Sequence, residues 1–242
     1  MTAHFAIPAT TFVLREILQR RVKAAYGAFA APTVSIEPPL RPPATPANGT
    51  PSQPEPAGLH LFLHHAGPNP AWRNMYEPHV DGLGRRQGPS PLALDLHYLL
   101  AATGADLERE VLLGLGITAL TRHGIVTRPL IHAILSAIAV PQPPTRLLDS
   151  LTAEPLDDPA QQPEQITVSQ APVDVDLSTK IWSALQSPMR PCAHFLVTTV
   201  FLDVEETFPP GKETVKVRVG VRPDPTVASS LPAEDTAEVP HG

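Results

Sequence analysis

The chain is short of the residues that most often carry chemistry or covalent bracing. It has one cysteine, Cys192, in 242 residues, which excludes an internal disulfide and suits folding in a reducing cytoplasm. Charged residues make up 17%, against roughly 25% in an average domain. The formal net charge is −6. A sequence-independent grip on phosphate backbones needs clustered Lys and Arg, so no nucleic-acid partner is expected. The 14 glycines are too few for a collagen repeat. No apolar run reaches the roughly 18 residues of a membrane span, so no membrane insertion is expected. The opening MTAHFAIPATTF has neither the basic nor the apolar region of a secretory signal. The composition therefore implies a soluble, cytoplasmic protein.

Signatures of catalysis are missing as well. There is no HExxH, no paired CxxC, no G-x-S-x-G elbow and no P-loop. The run GLGRRQG, Gly82 to Gly88, follows no strand and opens no helix, so it is not a dinucleotide fingerprint. Arg85 and Arg86 within it form only a two-residue basic spot. Half of the ten histidines lie between His60 and His97. On a straight strand His60 and His64 share a face but stand about 13 Å apart, too far for one zinc ion. Asp95 and His97 share a face and lack a third ligand. Cys192 and His194 also share one, with Cα atoms about 7 Å apart, long for an ion pair. The expectation is no metal, no cofactor and no catalytic residue: not an enzyme.

Proline is what the chain has in excess, 31 residues, roughly 13% where about 5% is usual. Eight of them fall in the nineteen residues from Pro38 to Pro56. Such a stretch lacks backbone donors and favours an extended, solvent-facing connection. A second sparse region runs from Pro141 to Pro163, with one short helical turn expected at Arg146 to Leu151. The end from Pro223 to Gly242 has the composition of a disordered tail. Hydrophobic residues nevertheless make up 42%, enough for a core. The expected organisation is one domain over residues 1–222, with the proline-rich loop 38–57 inserted, then the tail 223–242.

Between these segments periodicity predicts the elements. A helix capped by Thr10 or Thr11 runs to about Tyr26, burying Leu14, Ile17, Leu18 and Ala25 and ending at Gly27. Leu59 to His64 alternates as a strand, and so does Leu92 to Tyr98, with Leu92, Leu94, Leu96 and Tyr98 facing together. Asp106 caps a helix to about His123 that buries Leu107, Val111, Leu115 and Leu120. Another helix starts at Arg128-Pro129 and buries Leu130, Ile134, Leu135 and Ile138. A short strand at Ile166 to Val168 precedes a helix from Leu177 to Leu185, whose apolar face is Ile181, Trp182 and Leu185. Phe195 to Leu202 is apolar on both sides, as a central strand is. Thr214 to Val221 alternates cleanly, with Val215, Val217, Val219 and Val221 inward and Lys216 and Arg218 outward, a common way to blunt an edge. The order of elements fits an α+β fold, a mixed sheet covered by helices.

Two places read as candidate interface: the loop Trp72, Arg73, Asn74, an aromatic beside an arginine, and the charged pair Lys216 and Arg218. For Trp72 the alternative, a ring folded back on its own domain, stands equally.

The runs GLHLFLHHAGPNPAWRNMYEP, PLALDLHYLLAATG and EREVLLGLGITALTRHG resemble the cap, or tail-terminator, family of phage-tail-like contractile injection systems. The likeness covers roughly residues 9 to 222 in order. Ala9 to Leu18 resembles the family's early helix and Leu59 to His64 its first strand, with Arg73 and Asn74 as its RN pair. Leu94 to Leu99 resembles its second strand, Leu112 to Gly114 its LLG, Leu177 to Leu185 its tryptophan helix and Arg190 to Leu202 its closing strand. His60 and His64 stand where Asn and Tyr are more usual, and the tail has no counterpart. The resemblance implies a homo-oligomer, a ring of six copies. That ring would close the baseplate-distal end of tube and sheath, with sheath and tube proteins as partners and no cofactor. It leaves open a second cap paralogue and whether the particle is released. Alternatives from other classes are a small-molecule-binding or enzymatic α+β domain, or a cytosolic assembly adaptor.

Overall fold

A computed structural model describes residues 3–39, 41, 54–73, 92–138, 145–159, 161–172 and 174–202. The alternating segments become the sheet. In chain order the elements are α1 (Ala6–Tyr26), β1 (Val34–Ser35), β2 (Gly58–Pro68), α2 (Pro70–Arg73), β3 (Leu92–Thr103), α3 (Glu108–Arg122) and β4 (Ile125–Val126). Then follow α4 (Arg128–Leu135), α5 (Glu154–Asp157), β5 (Ile166–Ala171), α6 (Val175–Ala184) and β6 (Cys192–Leu202). The expected turn after Arg146 is a 3-10 turn at Leu147–Ser150. The six strands lie in the order β1-β2-β3-β6-β5-β4. Only β1 with β2 is parallel, so the sheet is mixed and the fold is α+β.

The main core lies between one face of this sheet and α1, α3 and α4. Leu59, Leu61, Leu96, Tyr98, Leu100 and Phe195 point into it. The other face is covered in part by α6, where Trp182 packs on Leu99 and Ala101. Helices on both faces explain why β6 reads as a continuous apolar run rather than as alternation.

Several local expectations change for physical reasons. α1 starts at Ala6, before Pro8, because a proline in the first turn gives up an N–H that has no helical partner anyway. Thr10 is therefore inside the helix, its hydroxyl donating to Ala6 O at 2.8 Å, and no side chain caps the start. The face of α1 closes with Val22, and Ala25 is exposed. α3 is turned from the expected face: Leu107 and Val111 are 68% and 57% exposed, and Leu112, Gly116, Ala119 and Leu120 are buried. Asp106 adopts a positive φ of 50° and does not cap. Leu92 is also exposed.

Gly116 explains the rotation of α3. A Cβ there would stand 2.9 Å from Leu100 Cδ2 and 3.2 Å from Leu59 Cδ2, so the helix reaches the sheet more closely than a bulkier face allows. Gly116→Ala gains about 1 kcal/mol of helix propensity and loses a similar amount moving two leucine methyls, so its stability should stay near wild type. Gly116→Leu overpacks the contact and should cost about 2 kcal/mol. Denaturant midpoints of the two variants check this.

The proline-rich loop at 40 and 42–53, the strand Thr214 to Val221 and the tail lie outside the described residues, as do Arg85 and Arg86.

Candidate functional site

The face of the sheet that α6 leaves uncovered gathers histidines. Leu63 pairs with Tyr98 and His65 with His97, so His64 is an extra residue, a β-bulge. The bulge inverts the alternation and turns both His64 and His65 to the outer face. Their rings meet His97 at 6.1 and 5.2 Å between centroids, and His64 meets His194 at 5.7 Å, edge on. His194 is 7% exposed, and among the described residues neither of its ring nitrogens has a hydrogen-bond partner. Cys192 Sγ is therefore not engaged by it, and the two do not form a dyad. Burial, reinforced by the neighbouring His194, His97 and His65, lowers the His64 pKa to about 4. Burial lowers His97 and His194 as well, and Asp95 partly offsets the shift of His97. These are neutral imidazoles at neutral pH. Among the described residues no group of three His, Cys, Asp or Glu side chains is placed to hold a metal ion.

Beside this cluster a polar knot fixes the start of the Trp72 loop. Asn69 donates from Nδ2 to Asp95 Oδ1 at 2.7 Å, and its Oδ1 accepts from the backbone N–H groups of Ala71 and Trp72 at 2.9 and 3.0 Å. Asp95 is thus committed to Asn69 rather than poised with His97 for a ligand. The Trp72 ring lies edge-to-face on Phe201, 4.9 Å between centroids, and stays half-exposed. Arg73 closes α2. Asn74, Lys216 and Arg218 lie outside the described residues.

Two features escape the sequence reading. Arg190, 6% exposed, donates from Nε to both carboxylate oxygens of Glu55 at 2.9 and 3.2 Å, and from Nη1 to Ser187 Oγ at 2.6 Å. This ties the end of the proline-rich segment to the start of β6. The second feature is a pocket of about 520 Å³ along α1, lined by Ile7, Phe12, Ile36, Ile138, Leu148 and Leu151, with Arg15 and Arg146 also in the lining. Neither has a local sequence signal, since each joins residues far apart in the chain.

Residues 9–214 match the family model described as the Pvc16 N-terminal domain. The chain belongs to that family. No curated protein matches the sequence. Two solved structures are similar to this member of the Pvc16 N-terminal domain family. One is a cryo-EM structure of an extracellular contractile injection system, described as the PVC sheath/tube terminator in its extended state. It has 12% identity and a TM-score of 0.46, and the match covers 90% of this chain and 64% of that one. The other is a cryo-EM structure of the anti-feeding prophage cap, described as the tube-terminating cap. It has 13% identity and a TM-score of 0.42, with 85% and 59% covered. The chain thus spans less than two thirds of either. Among the described residues no helix is long and apolar enough to cross a membrane.

Proposed function

We propose that this protein is a structural cap of a contractile injection system. It would form a ring, of six copies, on the baseplate-distal end of tube and sheath and assemble into a phage-tail-like particle. The observation that carries the reading is the family match over residues 9–214, which lies within the stretch, roughly 9 to 222, whose ordered motifs resemble the cap family. A terminator must offer the last tube and sheath subunits a partner and then present no template for more. Sheath and tube proteins are the partners this reading names, and it asks for no catalytic step. A repeated head-to-tail contact whose rotation closes gives a ring, and six-fold repetition supplies avidity even where each contact is weak.

Deleting the gene should leave sheaths that are unstable or irregular in length while baseplates still form. Negative-stain images of particles from the deletion strain check this. Uniform, contractile particles from that strain, with the protein absent from wild-type particle ends, would overturn the reading.

A further inference from the structure

Among the described residues one edge of the sheet is left open by the prolines that follow β1. β1 pairs with β2 only through Val34 with Leu59 and Ser35 with His60. Among the described residues no strand lies beside Leu61–Pro68 on that side. Pro38 and Pro39 come three and four residues after Ser35 and have no N–H to give a ladder. The chain leaves with the carbonyl of Glu37 on His60 Nδ1 at 3.2 Å. At the head of this edge sits the apolar pocket, for Ile36, the first residue past β1, is part of its lining and is 45% exposed. Unpaired backbone groups beside an apolar pocket are the two parts of strand addition: the ladder supplies affinity, and the pocket selects alternate side chains.

We propose that this edge receives the segment Thr214–Val221 of a neighbouring copy, with one of its valines seated in the pocket. The inference rests on the ring reading above and names the contact that closes the ring. The donor TVKVRVGV alternates over eight residues, and the open edge Leu61–Pro68 is eight residues long. Its valines would lie on the core side with Leu61 and Leu63. Lys216 and Arg218 would lie on the other, within reach of the exposed Glu37, opposite in sign. Donor strand and acceptor edge are different patches of one chain, so each copy gives one strand and takes one, the head-to-tail relation that generates rings. The bulge at His64 and Pro68 at the end of β2 blunt the edge against indiscriminate pairing and leave Leu61–Leu63 as its regular stretch. The chain leaves β6 at Leu202, and eleven residues, 203–213, separate it from Thr214. Extended, those residues reach about 36 Å, so a return to the same copy's edge is the competing occupant.

The test co-expresses two tagged chains in the gene-deletion background, both carrying Cys192→Ser, one with Phe62→Cys and the other with Lys216→Cys or Arg218→Cys. Opposed residues in a ladder are about 5.5 Å apart at Cα, within disulfide range. Purified particles are oxidised and run on a non-reducing gel. A disulfide joining the two differently tagged chains is expected. Val217→Asp, made outside the helices and strands described above, should reduce capped particle ends at least tenfold while the circular dichroism of the subunit is unchanged. In a third variant carrying both cysteines on one chain, a disulfide within that chain together with none between the two tagged chains would assign the edge to the same copy and overturn the proposal. Normal capping with no cross-link and no effect of Val217→Asp would also overturn it, while leaving the terminator reading standing; that reading fails separately if the deletion strain makes normal particles.

Discussion

Glu55→Ala should destabilise the subunit by about 3 kcal/mol, the low end of the range for breaking a buried ion pair. The reason lies in the asymmetry of the pair. Arg190 is 6% exposed, whereas the Glu55 side chain keeps 28% of its surface in contact with solvent. Removing the carboxylate takes the Glu55 charge and its hydrogen bonds away from a guanidinium held in the interior. For a chain of this size that cost corresponds to a fall in melting temperature of about 6–12 °C. Glu55→Gln should cost less, because the amide oxygen still accepts a hydrogen bond. Arg190→Lys should cost nearly as much as Glu55→Ala, since one ammonium cannot reproduce the forked donation to Glu55 and Ser187. Thermal and urea unfolding of the three variants check the order. A Glu55→Ala variant within about 0.5 kcal/mol of wild type would show that the pair is a surface contact in effect.

That pair also marks the limit of what the sequence discloses. Alternation at Leu59 to Leu63 and Leu94 to Tyr98 is a local consequence of one covered face, so β2 and β3 are legible from the residues alone. β6 is legible for the opposite reason: Phe195, Val197 and Val200 face the main core, and Cys192 packs with the Trp182 cluster on the other side. The face of α3 is not legible, because the side chains that decide it, Leu59 and Leu100, come from two strands and act through the missing Cβ of Gly116. β1 and β4 have two residues each, too few to carry a period. The histidine cluster is half-readable. A His-His doublet in an alternating strand puts one ring under the helices unless the strand bulges, but which neighbours the bulge supplies depends on strand order. Gln162 shows the same dependence: buried to 1% exposure, it accepts from the Phe201 N–H at 3.1 Å and donates to Thr199 O, satisfying groups of β6 beyond Thr198, the last residue that β5 pairs. Of the candidate interface, Trp72 is legible as an aromatic in a short turn, but its partner Phe201 is more than a hundred residues away.

Acidification should loosen the subunit between about pH 6.5 and pH 4, and the histidines on the outer sheet face set that window. In the unfolded chain each titrates near 6.5. In the folded subunit His64 is lowered to about 4, and His60, His97 and His194 are lowered too, each chiefly by burial. Above pH 6.5 both states hold neutral imidazoles, and these groups add no pH dependence. As pH falls below 6.5 the unfolded chain takes up protons that the folded one refuses, so stability falls. The loss levels off once pH passes the folded value of His64. Each tenfold loss of proton affinity on folding is worth about 1.4 kcal/mol. His64 alone would give somewhat over 3 kcal/mol, reduced by solvent screening at a half-buried site, and its neighbours add smaller amounts, so about 3 kcal/mol is expected for the set. Asp95 works against the lowering of His97, but its carboxylate already accepts from Asn69 and offsets only part of it. His64→Gln removes both the titration and the mutual repulsion, and should flatten the stability profile between pH 6.5 and 4 while leaving stability at pH 8 within about 1 kcal/mol. A profile as steep in His64→Gln as in wild type would mean that carboxylate protonation, not this cluster, governs acid lability.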